Sequence, residues 1–457
     1  MHDSQLIGLA SIIILGINAQ WMSWRFKIPS ILLLLIFGFL AGPVFNILNP
    51  DKLMGDLLYP IISFSVAIIL FEGGLSLRIK ELRQIGKVVL ALITVGLIIT
   101  WAIVTLTAYY IVGLNFKISL LLGAILVVTG PTVIGPMLRH IKPIGKTGDI
   151  LKWEGIVIDP IGAMVAVLVF EAILLGEGQS AGLLIASSLL KTVIFGGGIG
   201  FIFAWVLIIF LKKYWIPDSL HETAALSLVV GVYLLAEVIQ KESGLFAATI
   251  MGFVLDNQNR VTVKHIVEFK ENLRVLIISS LFIILAAQLE IESFTHLPGN
   301  SLILLVVVII IARPLSVFFS TFKSGLKIKE KIFLSWLAPR GIVAAAVSSL
   351  FALRMAETGI PQAEYLVPLT FMVIVGTVMI YGLSSYPLAK LLKISQSNPQ
   401  GVLFLGAHSW AVDIAKALQE KGIKVTMIDS NTSNVYKAKM AGIQANYGNI
   451  ISKRTLD

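Results

Sequence analysis

The chain has 457 residues, 57% of them hydrophobic and 14% charged, with a mean hydropathy of +0.90. A water-soluble domain carries about 25% charged residues, so most of this chain belongs in lipid, and its formal net charge of +10 reads as cytoplasmic loop charge facing anionic lipid rather than as a nucleic-acid footprint. The absence of cysteine excludes disulfides, thiolate metal sites and thiol catalysis.

The N-terminus, Met1-His2-Asp3-Ser4-Gln5, lacks the basic segment of a cleaved signal peptide, so the first apolar run reads as a retained helix. Apolar runs of spanning length fall at 4–22, 28–46, 57–76, 86–113, 117–137, 151–175, 181–211, 218–240, 243–256, 271–290, 299–321, 329–354 and 364–393, about thirteen in all. The run at 181–211 is long enough to tilt or to kink at Gly196-Gly197-Gly198. Thr129-Gly130-Pro131 interrupts the fifth run and Ala338-Pro339-Arg340-Gly341 the twelfth. Proline removes a backbone donor and clashes with the preceding turn. Breaks in matching places of two halves are the sequence sign of a transporter site built on discontinuous helices. Loops after odd-numbered runs are rich in Lys and Arg, as in Arg78, Lys80, Arg83 and Lys87, or Lys323, Lys327, Lys329 and Lys331. Loops after even-numbered runs carry far less. Positive loops stay inside, which predicts a multi-pass protein of the cell membrane with an external N-terminus and a cytoplasmic C-terminus.

After Lys393 the composition changes. Residues 394–400 read as a polar linker, 401–406 as a strand, 411–421 as a helix, 423–429 as a second strand and 433–441 as another helix. This order opens a doubly wound nucleotide-binding fold but stops at Asp457, short of a whole domain, so the chain reads as a truncated form. The expected fold is an all-α polytopic membrane domain over 1–393, with inverted repeats and two broken helices, followed by the linker and an incomplete Rossmann-like α/β domain over 401–457.

Glu154 and Asp159 lie in a stretch too apolar to tolerate them idly. A carboxylate at bilayer depth costs about 2.5–3.5 kcal/mol on insertion scales. Asp159, between Ile158 and Pro160, has few local partners and is hard to ionise until a proton or cation joins it. One group with two alternative occupants is what an exchanger needs. Glu154 points about 140° away around the helix, and its expected partner is Arg340, a cation that stays charged. The other reading has Arg340 competing with the cation for Asp159. Thr129 and the carbonyls freed around Gly130 are candidate neutral ligands, against a hydroxyl bonded back to its own helix. Glu72 reads as a packing or snorkelling residue near the cytoplasmic end, and Arg313, before Pro314, as structural. The six histidines show no metal spacing and no Ser-His-Asp arrangement stands out, so an enzyme is not expected. In the tail, Gly406 is the one match to a dinucleotide fingerprint. His408 fills the place where bare backbone should approach pyrophosphate, and Asp429 stands where a ribose-binding acid belongs.

Phe71-Glu72-Gly73-Gly74-Leu75, Thr129-Gly130-Pro131, Glu154 to Asp159, Ser243 to Gly252 and Pro339-Arg340-Gly341-Ile342 together resemble the cation/proton antiporter superfamily, specifically its NhaP-like exchangers, across nearly all of 1–393. The resemblance implies a homodimer with a static dimerisation bundle and a mobile core crossed by two broken helices. It implies Asp159 as the carboxylate that binds Na+ or K+, Thr129 beside it, and Glu154 paired with Arg340 in the core. Three positions depart from the family: Gly130 where Asp is usual, Gly155 where Ser is usual, and Ile158 where Asn is usual. The tail resembles the start of a TrkA-type (RCK) regulatory domain, which implies a regulatory nucleotide there and tilts the cation toward potassium. No cofactor is required. The expected activity is electroneutral exchange of a proton for Na+ or K+ in pH homeostasis. A tail-gated cation channel and a non-transporting membrane sensor stand as the alternatives.

Overall fold

The computed structural model describes residues 2–26, 29–175, 181–241, 243–258, 260–261, 264–289, 292, 297–357, 360–395 and 401–448. The chain divides into two compact units, Met1–Ser395 and Gln396–Asp457. Residues 396–400 of the expected linker and 449–457 of the tail lie outside the described residues.

The first unit is built of helices: α1 (His2–Phe26), α2 (Ser30–Val44), α3 (Leu58–Gly74), α4 (Ile79–Val112), α5 (Phe116–Ile125), α6 (Pro131–Ile141), α7 (Thr147–Leu175), α8 (Ala181–Lys212), α9 (His221–Ile239), α10 (Ser243–Asn257), α11 (Lys264–Ala287), α12 (Ser301–Ser320), α13 (Ile328–Trp336), α14 (Ile342–Glu357) and α15 (Leu366–Leu391). Among the described residues eight helical spans are long and apolar enough to cross a membrane, and five shorter apolar helices of 10–17 residues accompany them. Their apolar side chains merge into one core. Within it, α1, α2 and α11 pack on one another, and α3, α8, α9 and α10 form a second group that α11 joins. Helices α4 to α7 pack with α12 to α15.

Three features differ from the sequence reading or sharpen it. Helix α4 starts at Ile79, ahead of the span expected from 86. Its charged first turns stay helical because Glu81 is tied to α7, accepting from Lys152 Nζ at 2.8 Å and from Trp153 Nε1 at 2.8 Å. Helix α8 runs unbroken through Gly196-Gly197-Gly198. Gly196 and Gly200 serve close approach: a Cβ on Gly196 would fall 2.8 Å from Ser243 O, and one on Gly200 would fall 2.3 Å from Ala247 O, so this face of α8 lies directly on α10. Finally, the fifth run divides into α5 and α6 around residues 126–130, and the twelfth into α13 and α14 around 337–341.

The second unit holds β1 (Gly401–Leu405), α16 (Ser409–Glu420), β2 (Lys424–Asp429), α17 (Thr432–Met440) and β3 (Gln444–Tyr447). The strands form a parallel sheet in the order β1-β2-β3. Ala411, Val412 and Ala415 of α16 and Val435 and Ala438 of α17 share a small core with Val425, Met427 and Ala445. In the short strand β3, Gln444 and Asn446 alternate with Ala445 and Tyr447 and continue from Ile443, a pattern that the sequence reading passed over. Gly406 ends β1 with φ +101°, a backbone state that favours glycine, and donates its N–H to Ile428 O at 2.8 Å.

Candidate functional site

The two breaks meet. Gly130 N donates to Pro339 O at 3.0 Å. A Cβ on Gly130 would fall 2.4 Å from Gly341 Cα, and one on Gly341 would fall 2.4 Å from Gly130 Cα, so only glycine allows this crossing. Pro131 opens α6 at a position where the missing N–H costs nothing.

Helix α7 lies along the first break. Gly155, Asp159 and Gly162 recur at i, i+4 and i+7 and so share one face. A Cβ on Gly155 would fall 2.9 Å from Ile134 Cδ1 and 3.6 Å from Pro131 Cα, and one on Gly162 would fall 2.4 Å from Val128 Cγ2. Asp159, between them, is therefore carried on the face laid against residues 128–134. Its side chain is 2% exposed, and Oδ1 has no hydrogen-bond partner. No ion pair among the described residues reaches it. The Thr129 hydroxyl is likewise buried without a partner and does not bond back to its own helix.

The expected pair between Glu154 and Arg340 is not made. Arg340 is 1% exposed and turns onto the carbonyls freed by the first break, with Nη1 donating to Val127 O at 3.0 Å and to Val128 O at 3.4 Å. Those carbonyls extend from the negative end of α5, so they are partners for a guanidinium. Glu154 instead takes Arg313 of α12 in a bidentate pair, Nη1 on Oε1 and Nη2 on Oε2, the latter at 2.9 Å. Arg313 also donates from Nε to Leu334 O at 3.0 Å and from Nη2 to Leu337 O at 3.3 Å, at the carbonyl end of α13. The two half-helices α5 and α13 thus each end on a buried arginine. The sequence reading named Arg313 but missed this role. The signal was present, an arginine inside the apolar run 299–321, under the rule that had singled out Arg340. Elsewhere Glu72 pairs with Arg274 at 2.6 Å.

In the tail, His408 takes extended backbone angles as N-cap of α16. Asp429 Oδ2 accepts from Ala407 N at 2.7 Å and from Asn434 Nδ2 at 2.9 Å, and Oδ1 accepts from Asn431 N at 2.8 Å. These donors, the Ala407 amide foremost, hold the carboxyl below its usual range. Asp429 thus already serves the sheet-to-helix turns with three bonds, and His408 stands where pyrophosphate needs bare backbone. The residues present do not fit a bound dinucleotide.

The sodium/hydrogen exchanger (transmembrane) family profile matches residues 9–391. The chain belongs to the sodium/hydrogen exchanger family. It is a transporter of the monovalent cation/proton antiporter class and not an enzyme. It is 26% identical over 404 residues to a K(+)/H(+) antiporter, NhaP, of Alkalimonas amylolytica, covering 87% of this chain and 68% of that one. It is 28% identical over 423 residues to Na(+)/H(+) antiporter 1 of Methanocaldococcus jannaschii, covering 88% and 96%. The sodium proton antiporter MjNhaP1 of Methanocaldococcus jannaschii, solved at pH 8, shares its fold with a TM-score of 0.71 at 24% identity over 84% of this chain and 97% of that one. An electron-microscopy map of MjNhaP1 gives 0.70 at 26% identity, covering 85% and 98%.

Proposed function

We propose that this exchanger moves protons against Na+ or K+ by alternate occupancy of Asp159, one cation for one proton and hence electroneutrally. The observation that carries this reading is the buried Asp159 oxygen with no protein partner, on the helix face that meets the broken crossing. An ionised carboxylate so enclosed is costly. It is neutralised by a proton or by a cation, and the two compete for the same oxygens. The bidentate hold of Arg313 on Glu154 keeps the second acid of α7 out of that competition. Thirteen transmembrane passes are proposed, counting each broken helix as one, in a homodimer. Helices α1–α3 and α9–α11 form its static side, α4–α7 and α12–α15 its moving core, and α8 joins the two. The N-terminus is external and the C-terminus cytoplasmic. The Rossmann-like tail is proposed as a regulatory or assembly module rather than a nucleotide site.

The test is dye-reported proton movement in proteoliposomes, titrated with Na+ and with K+. The parent should acidify or alkalinise the lumen in a saturable, cation-dependent way, and Asp159→Asn should abolish the signal for both cations. Full cation-driven flux through Asp159→Asn would end this reading.

A further inference from the structure

Thr132 stands in the first turn of α6, two residues past the break, and is 7% exposed. Among the buried helical threonines, Thr105 and Thr147 also have hydroxyls without a partner, but Thr249 spends its hydroxyl on Leu245 O at 2.8 Å, Thr321 on Val317 O at 2.7 Å and Thr370 on Leu366 O at 2.7 Å, each on the carbonyl four residues back. Thr132 does not. The residue four back is Val128, on the far side of the break and outside the helix. Thr129 lies in the break itself, outside both half-helices. The break therefore strands two hydroxyls a turn apart, both buried and both without a partner. Thr132 Oγ1 lies 3.5 Å from where a Cβ on Gly130 would sit, at the crossing itself.

We propose that Thr132 is a cation-binding residue, supplying through Oγ1 a neutral oxygen to the set begun by Asp159 and Thr129. This rests on the reading of Asp159 as the exchanging carboxylate. A cation that sheds water needs several oxygens in exchange, and one carboxylate does not provide them. The hydroxyls of Thr129 and Thr132 are buried at the crossing and engaged by no protein group, so they are available as neutral oxygens there. The amino end of α6 carries partial positive charge. Asp159 therefore supplies the attraction and the threonines the coordination. A proton needs neither hydroxyl, so loss of Thr132 should weaken the cation and leave the proton.

The experiment compares Thr132→Val, Thr132→Ser and Asp159→Asn in proteoliposomes by initial rate of proton movement against Na+ and K+ concentration. Valine matches threonine in shape and removes the oxygen, whereas serine keeps the oxygen. Thr132→Val is expected to raise the apparent KM for cation about tenfold, with the rate at saturating cation kept and the Na+/K+ preference altered. Thr132→Ser is expected to stay near the parent. An unchanged KM for both cations in Thr132→Val, with Asp159→Asn inactive, would overturn the role of Thr132 while leaving the carboxylate reading in place. An equal rise in Thr132→Val and Thr132→Ser would also overturn it, because the missing methyl and not the oxygen would then be responsible. Retained exchange in Asp159→Asn would remove the foundation of both.

Discussion

Arg313 and Arg340 are both buried against the carbonyl end of a half-helix, yet among the described residues only Arg313 has a carboxylate. Truncating one partner of a buried pair leaves an uncompensated charge and costs about 3–5 kcal/mol. Glu154→Ala should therefore lower the thermal unfolding midpoint of the detergent-purified exchanger sharply, and Glu154→Ala with Arg313→Leu should lower it by less than the sum of the two single changes. An additive pair of effects would mean that the two side chains do not stabilise one another. At this scale the acids themselves were legible, because Asp159 and Glu154 interrupt an apolar run. The partner of Glu154 was not legible. Arg313 and Arg340 are both intramembrane arginines in the second half, and only the packing of α7 on α12 and α13 decides which one faces Glu154. The stranding of Thr132 was equally hidden, since the burial of its hydroxyl depends on what packs over the break.

The meeting of the half-helices is set by glycine, and the junction of α3 and α4 by an asparagine. A Cβ on Gly130 would lie 2.4 Å from the backbone of Gly341, so Gly130→Ala must part the two breaks. Displacements near 1 Å cost reacting sites about 10²-fold, and the expected outcome is a loss of exchange of that order, read as initial rate in vesicles with matched protein content. Asn257, at the end of α10, clips the junction between α3 and α4. Its Nδ2 donates to Leu77 O at 2.7 Å and to Phe253 O at 2.8 Å, and its Oδ1 accepts from Ile79 N at 2.8 Å. This junction joins the proposed static side to the moving core. Asn257→Ala should lower the maximal rate several-fold and leave the apparent cation affinity unchanged. A change in affinity alone would place Asn257 in the binding step instead. The helix breaks were visible in the sequence because proline forbids the hydrogen bond that would bridge them. Helix α8, expected to tilt or to kink at Gly196-Gly197-Gly198, runs unbroken through them, and Gly196 and Gly200 answer to α10, a partner that local pattern does not reveal.

For the whole molecule, the charge alternation of the loops predicts sidedness, and the absence of native cysteine makes it simple to read. A thiol reagent that does not cross the bilayer should label Asp56→Cys in intact cells and Lys323→Cys only after permeabilisation. The reverse pattern would invert the proposed topology. In the tail, the depressed pKa of Asp429 means that its stabilising contacts are complete above the ordinary carboxylate range and are lost as pH falls through the lower, folded value. Asp429→Ala should loosen β2 at neutral pH, measured by hydrogen–deuterium exchange of the full chain. The difference from the parent should shrink only in strongly acid solution.

Composition and periodicity alone determined that this chain lives in lipid, that two of its helices are broken and that two acids, Glu154 and Asp159, are out of place, because each follows from the cost of exposing or burying a group along a single stretch of chain. Tertiary structure alone decided that the two breaks touch through Gly130 and Gly341, that Arg340 spends itself on carbonyls, and that Arg313 holds Glu154. Those outcomes depend on which helix faces meet across 150 residues or more of intervening sequence. The meeting of faces is set by the packing of the whole core, where glycines admit the closest approaches and every buried charge must find an opposite pole.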